Sequence, residues 1–171
     1  FEILGIGRTY RGNNSISLTG LRVANDEAID YWVKRFDEYS VNHQGVSEQL
    51  GRKVVFFEDP EGQRLMLVSD QNNTGVEAGI PWDKSSVPVE FGITGLGPVR
   101  LTVPDLTPTE DKLVKLMNFR HVGNYPAYQD GQPNVEVYQT GEGGTGAEIH
   151  VEVRTDLPRE RPGRGSVHHV A

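Results

Sequence analysis

Ser15-Ile16-Ser17-Leu18-Thr19-Gly20-Leu21-Arg22-Val23 reads as a strand with partial apolar alternation. Asn25 or Asp26 can cap a helix that follows. Ile29, Trp32, Val33 and Phe36 then fall at i, i+3, i+4 and i+7 and make one apolar face. Glu27, Asp30, Lys34 and Asp37 sit mostly opposite, and Gly45 ends the segment. Val46 to Leu50 and Lys53 to Glu58 are short strands around Gly51. Asp59-Pro60-Glu61-Gly62 is a turn, since Pro presets φ and Gly tolerates positive φ. Arg64 to Ser69 is a closing strand, so the order is β, α, β, β, β.

The same order recurs. Val99-Arg100-Leu101-Thr102-Val103 alternates cleanly, and Leu101-Thr102-Val103 lies about 80 residues after Leu21-Arg22-Val23. Thr107-Pro108-Thr109-Glu110 is a helix start, with Thr107 expected as the cap and Pro108 at the first helical position. Leu113, Val114 and Met117 form the expected buried face, with Leu116 at its flank. Phe119 to Val122, Tyr125 to Tyr128, Val135 to Gln139 and Glu148 to Val153 are the candidate strands. The fold class is therefore α+β: tandem βαβββ units, antiparallel-rich curved sheets with helices outside. One such sheet leaves its inner face bare, and a pair of units closes it. The expected division is a unit over 1–70, a linker over 71–92, a second unit over 93–157, and a linker plus the first strand of a further, truncated unit over 158–171. The connection Asp70 to Ser86 is polar, with Ile80-Pro81-Trp82 as one apolar anchor. The chain opens without Met at the apolar Phe1-Glu2-Ile3-Leu4 and stops at Ala171 inside an expected strand, which suggests a longer parent.

The 171 residues suit one medium domain or two small ones. A net charge of -7 and the lack of a dominant basic patch argue against nucleic acid and anionic membrane as partners. The absence of cysteine excludes disulfides and thiol chemistry and fits a cytoplasmic setting. No apolar run reaches the length of a membrane span, and no signal peptide is visible.

Gly163-Arg164-Gly165-Ser166-Val167-His168-His169-Val170-Ala171 resembles the Gly-x-Gly-(Ser/Thr)-Val-His-His-(Ile/Val)-Ala segment of the ring-cleaving dioxygenase branch of the glyoxalase/bleomycin-resistance/dioxygenase superfamily. Phe57-Glu58-Asp59-Pro60-Glu61-Gly62 looks like that superfamily's Asp-Pro-x-Gly turn. Pro81-Trp82, Val87-Pro88 and Ile93-Thr94-Gly95-Leu96 are similar to the connection between its second and third units. The resemblance implies the second unit, the third unit and the opening strand of the fourth unit of a four-unit enzyme. It implies an extradiol-type dioxygenase opening a catechol or hydroquinone with O₂, in the degradation of aromatic compounds. Its cofactor would be a divalent metal held by two His and one carboxylate: Fe(II) first, with Zn, Ni or Mn as alternatives.

Residue by residue, only His169 matches a metal ligand of that branch. The first-strand His position of the second unit holds Leu18 (or Ser17), its last-strand Glu position Met66, and the first-strand position of the third unit Pro98. Both complete units then serve as scaffold, and the chain alone would be inactive. His168 is the candidate catalytic side chain beside the ligand, or else faces solvent. A homodimer is compatible with this reading. Two rivals stay open: a glyoxalase-type isomerase or lyase using Zn or Ni, and a metal-free module binding a small molecule between paired units.

Other residues have ordinary explanations. Glu148, His150 and Glu152 share one strand face and could hold a metal, but such triplets more often form the polar outer face of a half-buried sheet. Tyr125 and Tyr128 could stack on an aromatic ring, though strand tyrosines usually pack with the hydroxyl in water. His43 and His121 are expected at the surface. Gly5-Ile6-Gly7 and Gly141 to Gly146 lack the strand-then-helix context of a phosphate loop.

Overall fold

Two helices and eight strands alternate along the chain in the order β, α, β, β, β, twice over, in a computed structural model that describes residues 7–170. Phe1 to Ile6 and Ala171 lie outside the described residues. The first unit comprises β1 (Ser15–Val23), α1 (Asp26–Glu38), β2 (His43–Gln49), β3 (Arg52–Glu58) and β4 (Arg64–Ser69). The second comprises β5 (Ile93–Val103), α2 (Thr107–Lys115), β6 (Arg120–Tyr125), β7 (Val135–Gln139) and β8 (Glu148–Val153). One curled sheet contains all eight, in the order β2-β3-β4-β1-β5-β8-β7-β6. Within each unit the first and last strands run parallel, β1 beside β4 and β5 beside β8. The units join where β1 and β5 pair antiparallel.

Asn25 caps α1, its side chain accepting from the Ala28 N–H at 2.9 Å. Ile29 and Phe36 are buried against Val23, Val55 and Leu67, with Trp32 and Val33 half-buried beside them. The turn after β3 closes as its composition predicts. Asp59 Oδ1 accepts from the Glu61 and Gln63 N–H groups at 2.9 and 2.8 Å, and Gly62 takes φ 86°.

The second unit departs from expectation at its helix. Thr107 is already helical, the cap position is Leu106, and Pro108 sits one place later than expected. Asp105, not Thr107, supplies the side-chain acceptor, taking the Thr107 N–H at 3.1 Å. Only Leu113 is buried, while Val114, Leu116 and Met117 are exposed. Nine residues make two and a half turns, which give a single row of contact with the sheet.

The 70–92 connection is not anchored by Ile80 and Trp82, which are 95% and 69% exposed. Buried Arg22 holds it instead, donating to Asp70 Oδ2 (2.7 Å), Val76 O (2.8 Å) and Glu77 O (3.2 Å). After β8 the chain turns back along the segment before β1. Single-residue bridges join Arg159 to Asn13, Arg161 to Tyr10 and Arg164 to Arg8. The stretch from Ser166 is not an extended strand among the described residues. It makes one bridge, Val167 to Ile16.

Candidate functional site

Alternation sorts the sheet into two faces. The helix side carries Val23, Val55 and Leu67 in the first unit and Val103, Tyr138 and Val151 in the second. The concave side of the first unit carries an apolar patch, with Leu18, Val54, Phe56, Met66 and Val68 in contact. The concave side of the second unit is polar. Glu148, His150 and Glu152 lie there, all buried, so the expected outer polar face is in fact the lining of the cup. The curl explains the correction: a sheet covered by helices on one side and by its own other half on the other has no solvated face.

A relay of side chains crosses the cup. Arg52 on β3 reaches Glu148 on β8 through two bonds, Nη1 to Oε1 at 3.2 Å and Nη2 to Oε2 at 2.8 Å. Gln139 Nε2 donates to Oε1 at 2.7 Å, and His150 Nε2 lies 3.2 Å from Oε2. A carboxylate only accepts, so Nε2 carries the proton and Nδ1 accepts from the Tyr125 hydroxyl at 3.0 Å. Tyr125 is thus buried and bonded, not solvated at its hydroxyl as expected. Burial holds His150 below its usual pKa against the pull of Glu148, and the imidazole stays neutral. Burial would raise Glu148, but hydrogen bonds from His150 and Arg52, with the charge of Arg52, outweigh it and lower the carboxyl to about 2. Burial raises Tyr125, which keeps its proton.

A second polar group lies nearer the junction of the units. The Thr102 hydroxyl donates to Glu152 Oε2 at 2.8 Å and lies 2.7 Å from Ser17 Oγ, to which Arg100 Nε donates at 3.3 Å. Arg100 Nε is 3.8 Å from Glu152 Oε2. Beside this group opens a cavity of about 330 Å³, lined by Leu18 and Phe56 on one side and by Arg64, Arg100, Thr102 and Glu152 on the other. Tyr128, on the loop after β6, stands edge-on to Phe56 with ring centroids 5.3 Å apart.

The strand registers identify equivalent positions in the two units. Gly20 pairs with Met66, and Arg100 with His150. With Leu21 and Leu101 equivalent, His150 is the counterpart of Met66. It does not make the cup a metal site, because the Arg52 guanidinium occupies the side of Glu148 that a cation would need. No group of three or more His, Cys, Asp or Glu among the described residues could hold a metal.

His168 and His169 lie away from the cup. Both are exposed, and their Nδ1 atoms are 3.2 Å apart. Of the other histidines, His43 meets Asp37 at 3.1 Å and His121 meets Glu136, roles at the rim of the fold. The cup residues Arg52, Arg64 and Arg100 were not singled out from sequence. Their only signal was their place on the inward-facing alternation of β3, β4 and β5.

A solved Bacillus subtilis protein described as a candidate dioxygenase superposes with a TM-score of 0.76 at 26% identity, over 96% of this chain and 48% of that one. Glyoxalase I from Zea mays superposes with a TM-score of 0.56 at 13% identity, over 94% of this chain and 50% of that one. The fold is of the glyoxalase type. No family model matches the sequence. A Bacillus subtilis (strain 168) protein named as a candidate ring-cleaving dioxygenase, MhqA, is 47% identical over all 171 residues, which are 53% of its length. A chlorohydroquinone/hydroquinone 1,2-dioxygenase from Sphingobium indicum is 26% identical over 148 residues, 84% of this chain and 42% of that protein. The chain thus spans about half the length of the curated relatives it matches. Relatives and neighbours together support the glyoxalase/dioxygenase superfamily.

Proposed function

We propose that this glyoxalase-type chain is part of a ring-cleaving, extradiol-type dioxygenase acting on a catechol or hydroquinone with O₂. The observation that carries the reading is the 47% identity, across the whole chain, to a protein named for ring cleavage. The hydroquinone class rests on the name of the Sphingobium indicum relative. In this reading the two described units are the metal-free scaffold. Leu18 and Met66 face the cup where ligands would be needed, and Arg52 neutralises the one deeply buried carboxylate beside His150.

The described residues do not complete a metal site, and no chemical step is assigned to them. His169 is proposed as one ligand of a divalent ion, Fe(II) foremost, with the other ligands supplied from outside this sequence. Its exposed imidazole has no carboxylate partner among the described residues and meets only the His168 ring, which supports its availability as a ligand. His168 beside it is the proposed catalytic neighbour.

The test uses the full-length protein: metal analysis, then oxygen uptake with hydroquinone and catechol. The expected result is bound metal with oxygen consumption, both lost in His169→Ala. A protein that consumes no oxygen with either substrate after loading with Fe(II) refutes the activity. Unchanged metal content in His169→Ala refutes the ligand assignment.

A further inference from the structure

The cup between the two units holds one positive charge that no side chain around it answers. Four arginines line the cavity: Arg11, Arg64, Arg100 and Arg154. Three have carboxylate partners: Arg11 with Glu58 at 2.8 Å, Arg154 with Asp156 at 2.7 Å, and Arg100 loosely with Glu152 at 3.8 Å. The Arg64 side chain makes no hydrogen bond or ion pair with any described residue. Glu152 and Glu160 act on it only through space. Arg64 shares the inward alternation of β4 with Met66 and Val68, so its stem runs along the apolar wall and its head enters the cavity.

We propose that this cup is a binding site for a small aromatic carboxylate, with Arg64 as the anchor of its anionic end. The inference does not depend on the dioxygenase reading, because neither His168 nor His169 lines the cavity. Three features select the ligand class. A single unanswered guanidinium matches a monoanion, and its planar fork matches the two oxygens of a carboxylate. Phe56 and Leu18, with the Tyr128 ring at the mouth, form an apolar slot for a flat body. A volume of about 330 Å³ accommodates a ligand of one ring and a few substituents. Burial, with Arg100 and Arg11 alongside, lowers the Arg64 guanidinium to about 10, the electrostatic mark of a cationic pocket without its counter-ion.

The test is calorimetric titration of the full-length protein with benzoate, with benzyl alcohol as its neutral counterpart and with inorganic phosphate. Benzoate is expected to bind at one saturable site, and the other two at least about tenfold more weakly, since a charge-assisted bidentate contact is worth about that much. Arg64→Met should weaken benzoate about tenfold or more, with the far-ultraviolet spectrum and metal content unchanged. Glu152→Gln keeps the shape of the site and removes a repelling carboxylate, so it should tighten benzoate severalfold. It also keeps the proposal testable if Arg64→Met does not fold. Absence of saturable benzoate binding, equal affinity in Arg64→Met, unchanged affinity in Glu152→Gln, or phosphate binding as tight as benzoate would each overturn the proposal.

Discussion

Replacing Arg52 by Met should weaken the fold most at neutral pH and least in acid. Arg52 is the cation for Glu148, whose side chain is 3% exposed, while that of Arg52 is 18% exposed. Breaking a buried pair from one side costs about 3–5 kcal/mol because the other charge stays buried. Gln139 and His150 still donate to Glu148, and Arg52 itself touches solvent, so about 2–3 kcal/mol is expected here. The pH dependence has a definite sign. Glu148 is lowered from its usual 4.5 to about 2 in the folded protein, so the unfolded chain takes up its proton first as pH falls. That contribution, about 3 kcal/mol at most, is complete above pH 4.5 and is lost as pH drops toward 2. His150, held neutral by burial, acts in the same direction from its usual 6.5 downward. Urea unfolding of wild type and Arg52→Met between pH 7 and pH 3 measures both effects. The variant should show lower stability at pH 7 and a gap that narrows as pH falls. Equal stability at pH 7, or a gap that stays constant down to pH 3, would show that Arg52 does not hold Glu148 ionised.

Tyr125→Phe removes the donor to His150 Nδ1 and should cost about 1–2 kcal/mol in urea unfolding without loss of the fold, since one buried acceptor is left unpaired. Asp70→Ala strands the buried Arg22 guanidinium and should cost about 3–5 kcal/mol, with the 70–92 connection becoming sensitive to limited proteolysis. Gly12→Ala places a Cβ 2.2 Å from Pro158 O and 2.6 Å from Glu160 N, both backbone, so it should pry off the segment around Arg159 and speed hydrogen exchange at Asn13 and Arg161. Met117→Lys, exposed just beyond the end of α2, should change stability by no more than about 0.5 kcal/mol.

The contrast between these sites follows what was legible in the sequence. β1, β4, β7 and β8 begin and end where alternation and turn residues place them, and α1 follows its apolar stripe from its Asn25 cap. The second helix was less legible. Its stripe of Leu113, Val114 and Met117 is longer than the contact a two-and-a-half-turn helix makes, and Asp105, not Thr107, supplies the side-chain acceptor at its start. Strand alternation located Glu148, His150 and Glu152 on one face but could not tell inside from outside, because that depends on how the distant first unit curls over them. The same limit hid Arg52 and Arg64, ordinary in sequence and consequential only once β3 and β4 face β8 across the cavity. Ile80 and Trp82 show the reverse error: apolar character suggested an anchor, and the buried Arg22 does the anchoring instead, with backbone bonds from Val76 to Gly143 and from Gly79 to Thr94.

The pairing of Arg8 with Arg164, with Thr9 N–H on Arg164 O and Arg164 N–H on Gly7 O at 3.0 Å each, brings the entrance and exit of the duplicated sheet to one doorway. A body whose two ends meet can be spliced into a loop of a host protein without stretching either connection. The pair of units has the geometry of a transplantable cassette.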